Sequence, residues 1–182
     1  MPSEIIPLRE SQLSIEDGIA VFTHQRPEAR NALSMELRAD YRDMLGHVEA
    51  DRRVRALVLT GSGGSFCAGG DLKARQASAD PEFRSADAMR RRVQAGHGWI
   101  ERLRSLEMPV IAAVDGPAVG AGFSIALAAD FILASTRAFF CMSFANMHAG
   151  IAGQALLQLE SEPGKLGRVM GIYSMIIRGG PA

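Results

Sequence analysis

Two stretches of the chain leave an apolar run and enter a turn made almost wholly of small residues. They are Val54–Leu72, VRALVLTGSGGSFCAGGDL, and Pro109–Asp130, PVIAAVDGPAVGAGFSIALAAD. The compact apolar runs VRALVLT and PVIAAV read as strands buried on both faces. Glycine loses more conformational freedom on folding than any other residue. Gly61, Gly63, Gly64, Gly69 and Gly70 within ten positions therefore imply dihedrals that only glycine tolerates, or a group pressed against the backbone. A third run, FILAS, follows the second turn. Strand, small-residue turn and helix thus occur twice in succession, a weak internal repeat that predicts an α/β fold.

The flanking segments are legible by the same rules. LSIEDGIAVFTH alternates and breaks at Asp17-Gly18, a dipeptide favoured in tight hairpins. After the polar connection RPEARNAL, Ser34 is the expected N-cap of a helix. Leu33, Leu37, Tyr41, Met44, Leu45 and Val48 recur there at helical spacing. Further on, Met89, Val93, Ile100, Leu103 and Leu106 form a second helical stripe, which Pro109 ends. No flexible linker or low-complexity segment is present, and one domain over residues 1–182 is expected.

The chain is 182 residues long, 47% hydrophobic and 22% charged, in the range of soluble globular domains. Twenty basic and twenty acidic side chains cancel, which gives no electrostatic reason to expect nucleic acid or an anionic membrane as partner. Cys67 and Cys141, far apart and outside any CxxC arrangement, predict neither a disulfide framework nor a zinc or other metal site, and fit a reducing cytoplasm. The opening MPSEIIPLRE has no basic end before an apolar core, so no secretory signal is expected. No apolar run approaches the roughly 20 residues that span a bilayer.

Four kinds of chemistry put glycines at such turns. A phosphate cradle needs GxxxxGK[ST], which neither turn has. A dinucleotide site needs GxGxxG straight after a strand; GSGGSF lacks the third glycine and GPAVGAG has the wrong spacing. A serine hydrolase needs GxSxG; GFSIA around Ser124 comes near, but Ala126 replaces the last glycine. Two turns at helix N-termini can also aim backbone N–H groups at one oxygen and form an oxyanion hole. Against all four stands plain close packing of helix on strand, and spacing alone leaves packing and oxyanion hole both open.

RPEARNALS, LVLTGSGGSFCAGGDL and PVIAAVDGPAVGAGFSIALAADFILAS, in this order and at these separations, resemble the enoyl-CoA hydratase/isomerase (crotonase) superfamily over residues 15–144. The resemblance implies a spiral of ββα units, with 145–182 as a diverged helical tail and a shortened C-terminal helical part. It implies an acyl-CoA ligand, coenzyme A entering as part of the substrate with no separate cofactor, and fatty acid metabolism in the cytoplasm as lyase or isomerase. It further implies a homo-oligomer, a trimer or dimer of trimers. By motif position the oxyanion donors are the backbone N–H groups of Gly70 and Ala121. The thioester and CoA would lie along Ala68, Gly69, Gly70, Asp71 and Leu72, with Asp71 at a helix N-cap. Arg26 would approach a phosphate and the Ala29 backbone the adenine.

The chain departs from that pattern where the family's hydratases carry two glutamates. The first position corresponds to Ser124 and the second to Phe144, neither of which exchanges a proton as a carboxylate does. A later acid used by some members corresponds to Ile151 or Ala152, and His148 is the nearest proton carrier. Enolate chemistry without the glutamate pair is the expectation. Alternatives are a non-catalytic acyl-CoA binder or oligomer partner of the same fold, and a serine hydrolase using Ser124. Cys67 and the run Arg90-Arg91-Arg92 are expected to be packing and solvated helix face, respectively.

Overall fold

The protein's structure, a computed structural model, describes residues 4–71 and 98–142. The chain divides after Cys141 into two units, and the described residues, Met142 apart, lie in the first. Leu72, Met89, Val93, Arg90-Arg91-Arg92, Phe144, His148, Ile151, Ala152 and the tail fall outside the described residues.

The expected hairpin forms. Strands β2 (Ser11–Glu16) and β3 (Ile19–His24) pair antiparallel with Glu16 opposite Ile19. Asp17 and Gly18 between them have φ of 49° and 82°, the doubly left-handed turn that matches strand twist. β1 (Glu4–Pro7) adds to the outer edge of β2. Helix α1 (Met35–Ala50) starts where Ser34 predicts: the Ser34 Oγ accepts the Leu37 N–H at 2.9 Å. Its inner stripe, Leu37, Tyr41, Met44, Leu45 and Val48, is buried.

β4 (Ala56–Gly61), β5 (Val110–Val114) and β7 (Phe131–Ala134) continue the sheet in parallel, giving the order β1-β2-β3-β4-β5-β7. After β5 the chain crosses to a second sheet as β6 (Pro117–Val119), runs through a short helix at Ala121–Leu127, and returns as β7. It then crosses again as β8 (Phe139–Cys141), parallel to β6. A large-sheet strand followed by a small-sheet strand therefore recurs one turn apart, with a helix between the two turns, as in a spiral of ββα units. One turn earlier, β4 is followed by a single bridge, Cys67 to Ala118, where the small-sheet strand would be.

Residues 98–104 are helical and are called α2, so the Ala121–Leu127 helix is α3. Trp99 and Leu103 are buried, while Leu106, expected on the same helical stripe, lies past the helix end. The residue before a proline is driven to extended backbone, so Met108-Pro109 forces the chain out of the helix before β5. Leu106 and Met108 still pack on the core, from a connector.

One polar contact set locks α1 to the sheet. The Asp40 carboxylate, fully buried, accepts from Glu10 N–H and Ser11 O–H at 2.8 Å each and from the Arg9 guanidinium at 2.9 Å. A buried charge so fully hydrogen-bonded is tolerated in a core where a bare carboxylate is not.

Candidate functional site

The RPEARNAL segment is an irregular loop held in one shape by its own backbone and by Asn31. A 3₁₀ turn at Pro27–Ala29 ends on Arg30 with φ of 51°, and Asn31 follows with φ of 53°. Buried Asn31 accepts the Arg26 N–H at 2.9 Å and donates to the Ser62 and Ser65 carbonyls at 2.9 and 2.6 Å. It thereby fastens this loop to the first glycine turn. We expect Asn31→Ala to cost about 3 kcal/mol in urea unfolding, since three buried hydrogen bonds are lost and alanine is poorly suited to positive φ. A shift under about 1 kcal/mol would show that the loop is held by other groups.

From Ser65 to Asp71 the chain runs between RPEARNAL on one side and β6 on the other. Phe66 and Cys67 N–H both meet the Pro117 carbonyl at 3.1 Å, and Val119 N–H meets the Cys67 carbonyl at 2.9 Å. On the opposite side Ala68 N–H donates to Arg30, Leu33 N–H to the Gly69 carbonyl at 2.7 Å, and Asp71 N–H to Leu33. In a trans peptide the C=O and N–H point opposite ways. With the Gly69 carbonyl turned to Leu33, the Gly70 N–H points away from Leu33. The same rule places Ala121 N–H: Ser124 N–H bonds the Gly120 carbonyl, so the Ala121 N–H projects out of the end of α3. Neither amide donates to a described backbone group.

The two turns touch. Gly69 has φ of 97°, and a Cβ there would stand 2.8 Å from the Val119 carbonyl oxygen and 3.7 Å from the Ala121 nitrogen. Gly122 is as tightly placed, its missing Cβ only 2.1 Å from the Cys67 carbonyl oxygen. Gly70 differs from both. Its φ lies outside the left-handed region, and no other described atom comes within 4 Å of where its Cβ would be. Conformation and packing among the described residues do not require glycine at position 70.

The side chains expected around this point are distributed as follows. The Arg26 guanidinium donates to Asp71 at 2.8 Å and lies 3.4 Å from Glu10 and 3.7 Å from Glu28. The hydrogen bond to Asp71 is the main cause that raises its pKa above the ordinary arginine value. Asp71 thus faces Arg26, and the helix it was expected to cap lies outside the described residues. Ala29 spends its N–H on Arg26 and its carbonyl on Ala32 within the 3₁₀ turn. Ser124 is exposed, and its hydroxyl donates to the Gly120 carbonyl of its own helix at 3.2 Å. Cys67 is buried, and burial pushes its thiol up to about 11, which keeps it protonated and unreactive at neutral pH.

Sequence reasoning passed over His24, Asn31 and Tyr41 as a group. The signal for His24 was present in IAVFTH, where it shares the inward face with Ala20 and Phe22. Among the described residues no group of His, Cys, Asp and Glu is arranged to hold a metal ion, and no helix is long and apolar enough to cross a membrane.

The family model described as enoyl-CoA hydratase/isomerase matches residues 14–160. The chain is 38% identical over 133 residues to 1,2-epoxyphenylacetyl-CoA isomerase of Escherichia coli K12, covering 73% of this chain and 50% of that protein. It is 36% identical over 148 residues to 4-chlorobenzoyl coenzyme A dehalogenase-2 of an Arthrobacter species, covering 80% and 52%. The crystal structure of an enoyl-CoA hydratase/isomerase from Cupriavidus metallidurans CH34 superposes with a TM-score of 0.74 at 30% identity, over 97% of this chain and 63% of that one. The chain spans about half the length of these curated relatives. The spiral of ββα units is accordingly the crotonase fold, and the chain belongs to the enoyl-CoA hydratase/isomerase family.

Proposed function

We propose that the chain binds an acyl-CoA thioester with its carbonyl oxygen between Gly70 N–H and Ala121 N–H, and that the pair stabilises the enolate formed when a proton leaves the α-carbon. The observation that carries this is a pair of amides on touching turns that donate to no described backbone group, one of them at a glycine whose missing Cβ has no described atom within 4 Å apart from its chain neighbours. Charge grows on the thioester oxygen as the enolate forms, so preorganised donors stabilise the transition state more than the bound substrate. The named relatives agree only in the ligand class: their names specify CoA thioesters and different reactions, an isomerisation and a dehalogenation. Family membership therefore supports the thioester and leaves the reaction to side chains that vary.

With Ser124 and Phe144 at the two glutamate positions, isomerase-like or other enolate chemistry fits better than water addition by a carboxylate pair. A second reading, a non-catalytic acyl-CoA binder or oligomer partner, is favoured by one observation: the Ser124 hydroxyl is turned back to its helix. The same observation argues against a serine hydrolase, whose nucleophile needs a base as its hydrogen-bond partner. Residues 68–72 would lie along the thioester and pantetheine, with the Ala29 backbone toward the adenine. A CoA phosphate at Arg26 would have to share the guanidinium with Asp71 and Glu10. Cytoplasmic residence, a role in fatty acid metabolism and assembly into a homotrimer or dimer of trimers rest on the family resemblance and belong to the same proposal.

Calorimetric titration with crotonyl-CoA beside free CoA, followed by product analysis, tests it. Saturable binding of the thioester beyond that of CoA is expected, and turnover separates enzyme from binder. Folded protein that binds neither ligand refutes the site. Gly70→Ala adds a methyl group to the open space while keeping the N–H. We expect its thermal midpoint to change little, within about 1 kcal/mol of stability, and thioester affinity to fall about tenfold while CoA affinity holds. Equal affinity for crotonyl-CoA in a folded variant would mean that the acyl group lies elsewhere.

A further inference from the structure

His24 is a buried titratable side chain that is neither of the two amide donors nor one of the residues placed along the thioester. It closes β3 with its side chain in the core, opposite Gly61 in the parallel register. A buried imidazole is costly unless its nitrogens find partners. Both do: Nδ1 lies 2.9 Å from the Phe66 carbonyl oxygen and Nε2 lies 2.8 Å from the Tyr41 hydroxyl. A carbonyl only accepts, so Nδ1 carries the proton and Nε2 accepts the Tyr41 O–H. Tyr41 is itself stacked on Trp99, with ring centres 4.3 Å apart, and meets Phe22 edge-on at 4.8 Å, which fixes the direction of its hydroxyl.

The Phe66–Cys67 peptide is held from both sides, its carbonyl by His24 and its N–H by Pro117 at 3.1 Å. The His24 backbone carbonyl also accepts the Ser62 N–H at 2.9 Å, so one residue grips both ends of the turn from Ser62 to Phe66. Beyond it, Cys67 is tied to Val119, Ala68 to Arg30, and Gly69 to Leu33, and the next group is the Gly70 N–H. Those ties are backbone to backbone. The tie at the Phe66 carbonyl is made by a side chain, and it is where the path to Gly70 begins.

We propose that His24 is a positioning residue of the thioester site: its Nδ1–H fixes the Phe66 carbonyl, and through it the orientation of the Gly70 N–H, with the Tyr41 hydroxyl holding the ring from Nε2. This rests on the reading of Gly70 as a thioester donor. The imidazole does not touch the ligand. It acts by holding the turn in the arrangement that leaves the Gly70 N–H pointing away from Leu33. The ring is neutral at neutral pH, because burial holds its pKa down at about 4, and Nε2 then accepts the Tyr41 O–H.

The test compares His24→Leu, which removes both hydrogen bonds, with His24→Asn, whose Nδ2–H can stand in for Nδ1–H, and with Tyr41→Phe. The probe is 4-dimethylaminocinnamoyl-CoA, a push–pull thioester whose absorbance moves to the red when its carbonyl is polarised. Wild-type protein is expected to shift the probe. Folded His24→Leu should lose most of the shift and about tenfold in affinity for the probe relative to free CoA. His24→Asn should recover part of both. A wild-type red shift in folded His24→Leu overturns the proposal, as does a loss that His24→Asn does not rescue. If His24→Leu fails to fold, Tyr41→Phe carries the comparison: an unaltered shift then counts against the couple, and a reduced one supports it. Amide spectra keep this separate from the thioester reading. If wild-type protein binds no thioester, Cys67–Gly70 resonances displaced in His24→Leu and partly restored in His24→Asn support the positioning of the turn. Unmoved Cys67–Gly70 resonances overturn it.

Discussion

Gly122→Ala is expected to destabilise the fold by about 3 kcal/mol or more, a large effect for the smallest possible enlargement. Gly122 is the second residue of α3, where helix propensity alone favours alanine by about 1 kcal/mol. The methyl group would stand 2.1 Å from the Cys67 carbonyl oxygen and 2.7 Å from the Cys67 Cβ. Neither atom is the loose end of a flexible side chain. The Cys67 carbonyl is tied to Val119, and its N–H to Pro117. The clash therefore separates the two turns, or unwinds the start of α3. Gly46→Ala is the matched control, a helical glycine of α1 with no described side chain or neighbouring element within 4 Å of its missing Cβ. That change should stabilise by about 0.5–1 kcal/mol. Opposite movements of the two urea midpoints are the expected result. Midpoints that rise together would show that the turns are not pressed against each other.

Stability should also fall by about 3 kcal/mol between neutral pH and pH 4, through His24 alone. The imidazole, ordinarily near 6.5, is held at about 4 in the folded chain, chiefly by burial. Below 6.5 the unfolded chain takes up a proton that the folded chain refuses until about 4. The unfolded state then binds more protons, so stability declines as pH falls through that window and levels off beneath it. The groups facing the ring do not reverse this. The Phe66 carbonyl and the Asp40 charge favour the protonated form but are outweighed by burial, and the Tyr41 hydroxyl is neutral, its pKa raised well above the ordinary value. Asp51, brought down to about 2 by Arg53, acts only beneath the window. Urea unfolding of wild type and His24→Asn at several pH values measures the effect. The wild type should show an additional slope of roughly 1.4 kcal/mol per pH unit at most, absent from the variant. Identical slopes in the two proteins would mean that His24 is solvated or already charged in the fold.

The kinds of element in this protein were readable without its fold, because each is decided within a few residues. Ser34 caps α1 through a bond to Leu37, three positions away. Asp17-Gly18 makes its turn from its own dihedrals. The apolar runs at β4 and β5 are strands wherever they are placed. The small-residue turns were equally legible as turns, and their order and spacing carried the family. Leu106 marks where local periodicity misled: the stripe continued in sequence, but the chain had to straighten ahead of Pro109 to enter β5.

Local sequence thus encodes the succession of strands, turns and helices, and with it the family. Which amides meet a described backbone partner emerged from the fold, because that depends on the residues across from them. Gly69 and Gly70 are neighbours of the same type. One is pressed on Val119, and the other meets no described residue beyond its chain neighbours, because the parallel register of β6 against Cys67 brings one and not the other into contact. Arg26 meets Asp71, and His24 meets Phe66, across 45 and 42 positions of chain. No local pattern encodes such pairs. They follow from strand order and register, which are set by the packing of the whole sheet rather than by any short stretch of sequence.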